Sequence, residues 1–158
     1  MTGPLSRVMF AVVATVAALI AGVVLSACSA GNTTSAKVSN WIGATGLSSD
    51  VSQIQTDAAN VAKVESLHSV AGAIRANCAV LDIDTENANQ NLPAPDAELT
   101  QELTDAYDAE IQAAQDCYHG AGKSQSLIDR GKVAQIAANA DLSQALALVT
   151  QLTGQKIT

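Results

Sequence analysis

Two apolar patterns divide the chain. Residues 8–24, VMFAVVATVAALIAGVV, are seventeen consecutive positions without a charge. From Leu47 onward, apolar residues return in steps of three and four, the repeat that places them on one face of an α-helix. Leu47, Val51, Ile54, Ala58 and Val61 make the first stripe, with Ser48, Ser49 and Asp50 as cap and first-turn residues. Leu67, Ala71, Ile74, Cys78, Leu81, Thr85 and Ala88 make the second, about one residue out of phase with the first near 65–69. No Gly or Pro marks a turn there. A single helix over 48–90 would be about 64 Å long at 1.5 Å per residue and would overhang any partner in this chain. A break near Ser66 is therefore expected.

Asn91-Leu92-Pro93-Ala94-Pro95-Asp96 is the clearest boundary. Two prolines stop the preceding helix, while Asp96 caps the next and Glu98 sits in its first turn. That helix carries Leu99, Leu103, Ala106, Tyr107, Ala114, Cys117 and Tyr118 on one broad face and ends at Gly120-Ala121-Gly122. A last helix from about Ser124 has the stripe Leu127, Gly131, Ala134, Ala138, Leu142, Ala145, Val149 and Leu152, and Gly154 stops it. The expected fold is all-α: an antiparallel bundle of three to four helices over 46–158, following an N-terminal signal helix. Aromatics are only 3% of the chain, so Ala, Val, Leu and Ile must build the core, which suits closely approaching helices.

The net charge of −7 argues against nucleic acid, whose phosphates need Lys and Arg, and against electrostatic docking on anionic lipid. No nucleic-acid partner is expected.

The apolar run at 8–24 is short for a transmembrane helix, which needs about 20 residues, and suits the core of a signal peptide. It ends in Leu25-Ser26-Ala27-Cys28. These four positions resemble the lipobox of bacterial lipoproteins, where cleavage before a diacylglycerol-bearing cysteine leaves that cysteine as the new N-terminus. The resemblance implies a signal peptide over 1–27 and lipidation at Cys28. It implies anchoring to the extracytoplasmic face of the cell membrane. Ser29 to Asn40 is small, polar and aperiodic, so 28–45 reads as the lipidated cysteine and a flexible tether.

With Cys28 lipidated, Cys78 and Cys117 remain, and outside the cytoplasm an even pair reads as a disulfide. Both lie on the apolar stripe of their helix, although an ideal hairpin leaves them roughly 12–15 Å out of register. The connecting segment at 86–97 must absorb that offset. A metal site or a reactive thiol pair is the alternative; His119 is close in sequence, but no second Cys-His cluster completes a tetrahedral set. Cys78, Pro93, Pro95, Asp96, Tyr107, Ala113, Ala114 and Cys117 together resemble small disulfide-bonded helical lipoproteins of actinobacteria. The resemblance spans about 67–120; it implies a fold and a disulfide and carries no activity.

Ten acidic residues and no basic one lie between Arg75 and Lys123. Asp82, Asp84 and Glu86 alternate as in a calcium loop, but Asn87 stands where the turn glycine belongs and Pro93 where the bidentate acid belongs. A solvated acidic face is the expectation, with no metal. Glu110 falls inside the apolar face of its helix, between Leu103, Ala106, Ala114 and Cys117, and is the candidate functional carboxylate. Arg75, His68 and Lys63 are its expected partners, in a structural ion pair or at the rim. Trp41, just before the bundle, is expected to cover one end of it.

No nucleophile elbow, no phosphate-binding glycine loop and no set of nucleophile, base and orienting residue appears. The expectation is a non-enzymatic lipoprotein without a cofactor, attached to the membrane through Cys28, that binds a protein or another envelope component. The alternatives are a carrier holding an apolar ligand between its helices and a phage- or prophage-type exclusion lipoprotein.

Overall fold

The computed structural model describes residues 33–157. Within them the chain forms five helices: α1 (Thr34–Thr45), α2 (Leu47–Ser66), α3 (Ala71–Asn89), α4 (Ala97–Gly120) and α5 (Gln125–Thr153). The signal region 1–27, Cys28 and the first residues of the expected tether lie outside the described residues.

Helices α2 to α5 run up and down, each packed on its neighbour in sequence, and α1 packs on α5. The apolar stripes meet inside. Leu47, Leu81, Leu99, Leu103, Val38, Val51 and Val149 are the largest fully buried side chains, and all but Val38 belong to a stripe legible in the sequence. Tyr107 is the one aromatic of the buried core among the described residues; burial, and then the nearby Asp50, push its hydroxyl pKa upward. Leu67 and Tyr118 continue the stripes in sequence but are exposed, because each falls where its helix is ending.

The break near Ser66 is real, and its geometry explains why no glycine announces it. His68 takes the left-handed conformation (φ 50°) that glycine usually supplies after a helix. Its amide donates to the Glu65 carbonyl and the Ser69 amide to the Val64 carbonyl, which closes the last turn of α2. Helix α2 starts at Leu47 with Gly46 in the cap position and no side-chain cap, so Ser48 and Ser49 do not cap it and only Asp50 keeps its expected place in the first turn. The cap and stop residues of α4 and α5 act as expected. Asp96 accepts from the Leu99 amide at 3.0 Å, Ser124 caps α5, and Gly154 ends α5 with φ 73°.

Helix α1 corrects the tether. From Thr34 onward the segment is helical, begun by Thr33, whose hydroxyl accepts from the Ala36 amide. The bundle thus begins twelve residues before position 46. Helix α1 has little amphipathic signal because only Val38 and Ile42 are buried. Gly46 (φ 76°) alone separates α1 from α2, turning the chain so that α1 folds back onto α5. The Trp41 indole donates to the Asn91 carbonyl at 3.1 Å, and the Asn91 amide donates to Asp50 at 3.0 Å. These bonds pin α1 and α2 to the loop between α3 and α4, at the end Trp41 was expected to cover.

Cys78 and Cys117 form a disulfide with a Cα–Cα distance of 5.9 Å, within the usual span. The offset that an ideal hairpin would impose is taken up by 90–96, which lets α4 begin well beyond the end of α3.

Candidate functional site: a cleft between α2 and α5

Going round the bundle, every neighbouring pair of helices packs except α2 and α5, which have no close backbone contact. Helix α1 stands between the two at the Trp41 end and packs on both. Its twelve residues span about 18 Å, whereas the twenty-nine of α5 span about 43 Å, so α1 cannot cover the full length. At the opposite end the space between α2 and α5 stays open as a cleft of about 520 Å³. That volume lies within the range of small-ligand sites.

The walls are apolar: Ala58, Val61 and Ala62 from α2, and Ile128, Gly131 and Ile136 from α5. Leu81, Ala113 and Cys117 contribute from α3 and α4, so one half of the disulfide lines the cleft. Small residues are the reason it is open. Longer side chains at Ala58, Ala62 or Ala113 would occupy the space that these leave.

The polar groups are few and sit at the ends. At the mouth, Lys132 of α5 reaches Glu65 of α2, Nζ to Oε2 at 3.3 Å. Among the described residues this is the one ion pair linking the two cleft-forming helices. At the other end Gln135 lines the cleft and donates to Glu110 Oε2 at 2.6 Å. Glu110 itself is one turn along α4 from Ala113 and only 4% exposed; its Oε1 has no hydrogen-bond partner. Burial pushes its pKa up to about 7, against the smaller opposing effect of the Gln135 bond.

A second, more polar pocket of about 500 Å³ adjoins the mouth, lined by His68, Ser69, Lys123, Ser124 and Gln125 among others. Glu65, His68, Ile128 and Lys132 line both.

Glu110 is buried, as its position in the stripe requires, but its expected partners do not reach it. Arg75 instead donates to the Ala121 carbonyl at 2.8 Å, and Gln135 holds Glu110. Gln135 falls four residues after Gly131 and three before Ala138, inside the α5 stripe. That polar interruption facing another was the available signal. Asp116 and Arg130 form a second unforeseen link between α4 and α5, Nε to Oδ2 at 2.5 Å; the guanidinium holds the Asp116 carboxyl below the usual range. Compared with known proteins, the chain matches no family model, no curated protein and no solved structure. The bundle and its cleft are therefore read on their own chemistry.

The acidic face is less uniform than the sequence suggests. Glu86 is exposed, but Asp57 of α2 is buried, accepts two hydrogen bonds from Gln53, and faces Asp84 of α3. Burial and the Asp57 carboxylate raise the Asp84 pKa. Tyr118 and His119 stack edge to face at the exposed end of α4. Among the described residues, no helix is long and apolar enough to cross a membrane.

Proposed function

We propose that this protein is a lipid-anchored, extracytoplasmic binding protein that holds an apolar ligand in the cleft between α2 and α5 without transforming it. The observation that carries the ligand reading is the gap α1 leaves: an apolar-walled cavity of small-ligand size, polar only at its two ends. The lipobox-like Leu25-Ser26-Ala27-Cys28 supports the anchoring, with the membrane reached through lipid on Cys28. Glu110, a buried carboxylate beside the cleft, has a glutamine for its hydrogen-bond partner, which favours a binding role over catalysis.

Native mass spectrometry of the full chain purified from bacterial membranes tests the ligand reading. An apolar ligand bound one to one is expected, and Ala62→Trp, which fills the cleft from its exposed wall, should displace it. Retention of the same ligand by a folded Ala62→Trp protein would sink the cleft reading. Anchoring is tested separately: Cys28→Ala should abolish lipid labelling and leave the precursor unprocessed.

A protein or envelope partner is the second reading. Val133 and Ile136 stand 68% and 70% exposed on the α5 surface beside the cleft, more apolar surface than solvent alone favours.

A further inference from the structure

The charges of this acidic chain are sorted by its fold. Lys63, Arg75, Lys123, Arg130 and Lys132, five of the seven Lys and Arg among the described residues, fall within 63–75 and 123–132. Of the fifteen acidic residues, only Glu65 and Asp129 share those stretches, and Asp116 of α4 reaches in to pair with Arg130. The two stretches meet at one end of the bundle, where Arg75 bonds the Ala121 carbonyl and the polar pocket draws its walls from both. That end is where the apolar cleft opens.

We propose that the ligand is an amphiphile with an anionic headgroup, its chain in the apolar cleft and its headgroup in the adjoining pocket against Lys123, Lys132 and His68. This rests on the reading of the cleft as a ligand site. The two cavities are contiguous, sharing Glu65, His68, Ile128 and Lys132. Glu65 is the one carboxylate lining the polar pocket, and Lys132 already neutralises it, so Lys123 leaves the pocket net positive. Ser124 caps α5 at the same place, adding the positive end of the helix dipole. Outside the two stretches the described residues carry thirteen acidic side chains and only two basic ones, Lys37 and Lys156, which disfavours the reverse orientation of an anionic ligand. Leu67 and Val70, 66% and 78% exposed in the adjoining turn, offer apolar surface for the chain to cross on entry. The Glu65–Lys132 pair spans the mouth, and an arriving headgroup competes with Glu65 for the Lys132 ammonium.

The test compares oleate with oleyl alcohol, which share a chain and differ in headgroup charge, on the full chain in non-ionic detergent by native mass spectrometry. Oleate should bind one to one and more tightly than the alcohol. Lys123→Ala and Lys132→Ala should each weaken oleate by roughly three- to tenfold and leave the alcohol unchanged. Glu65→Gln, which frees Lys132, should tighten oleate. Melting curves establish that each variant is folded. Equal binding of the two probes, indifferent to the lysine variants but lost in Ala62→Trp, would overturn the headgroup assignment and leave the cleft reading standing. Binding of neither probe, or binding that Ala62→Trp does not disturb, would overturn both.

Discussion

Glu110 on α4 and Gln135 on α5 face one another inside the bundle, with Gln135 Nε2 donating to Glu110 Oε2 at 2.6 Å and Glu110 Oε1 left without a partner. One hydrogen bond from a neutral amide does not offset the removal of a carboxylate from water. The native state therefore favours the protonated acid, and its pKa rises from 4.5 to about 7. A raised acid pKa means that the native state holds a proton the unfolded chain has released. No stability is lost below about pH 4.5; it falls as pH rises through 7, by up to about 3 kcal/mol. Glu110→Gln should remove this dependence. Urea unfolding at pH 5 and pH 8 checks it: the wild-type midpoint should fall between the two, and the variant's should fall much less.

The Cys78–Cys117 bridge closes a sequence separation of 39 residues and ties α3 to α4 in a core with a single buried aromatic among the described residues. In the chain-entropy model, losing it costs roughly 4 kcal/mol. Cys78→Ala with Cys117→Ala should lower the thermal midpoint sharply, and reductant should do the same to the wild type. Two free thiols in the non-reduced protein, read by mass, would contradict the bridge.

Gly131 lets α5 approach α4. A Cβ there would lie 3.0 Å from the Ala113 carbonyl oxygen and 3.3 Å from Asp116 Cβ. Alanine would contribute about 1 kcal/mol of helix propensity but incur overpacking of about 1–3 kcal/mol, because backbone cannot step aside as a side chain can. Gly131→Ala should therefore lower stability. Gly43 of α1 is the contrast, since nothing stands within 4 Å of its added Cβ. Gly43→Ala should raise stability by about 0.5–1 kcal/mol in the same denaturation assay.

Trp41 holds α1 in place through the Asn91 carbonyl. Trp41→Phe keeps most of the apolar contact and removes the hydrogen bond, for an expected loss of about 1 kcal/mol. Trp41→Ala should release α1, seen as faster hydrogen exchange of the amides of 34–45 than of those in α4.

How far each of these was legible depends on whether its cause was local. Periodicity marked α2 to α5 because their stripes are five or more residues long, and caps such as Asp96, Ser124 and Gly154 act on amides only a few residues away. Cysteine parity pointed to the bridge for the same kind of reason: few cysteines leave few pairings. Helix α1 was missed because a helix with two buried residues has almost no stripe, and it packs on α5, eighty or more residues further along the chain. Glu110 stood out as a carboxylate in an apolar face, yet charge alone pointed to Arg75, His68 and Lys63. Arg75 instead bonds the Ala121 carbonyl, and a glutamine from α5 holds Glu110.

The residues by themselves determined the class of fold, four of its helix boundaries and the acidic balance, because turns, caps and periodicity are short-range. Tertiary structure alone decided where the cleft lies. That depends on the length of α1 against the length of α5 and on α2 and α5 not meeting, and neither is a property of any single stretch. It also decided that scattered lysines gather at one end, since only the antiparallel path of the chain brings 63–75 beside 123–132.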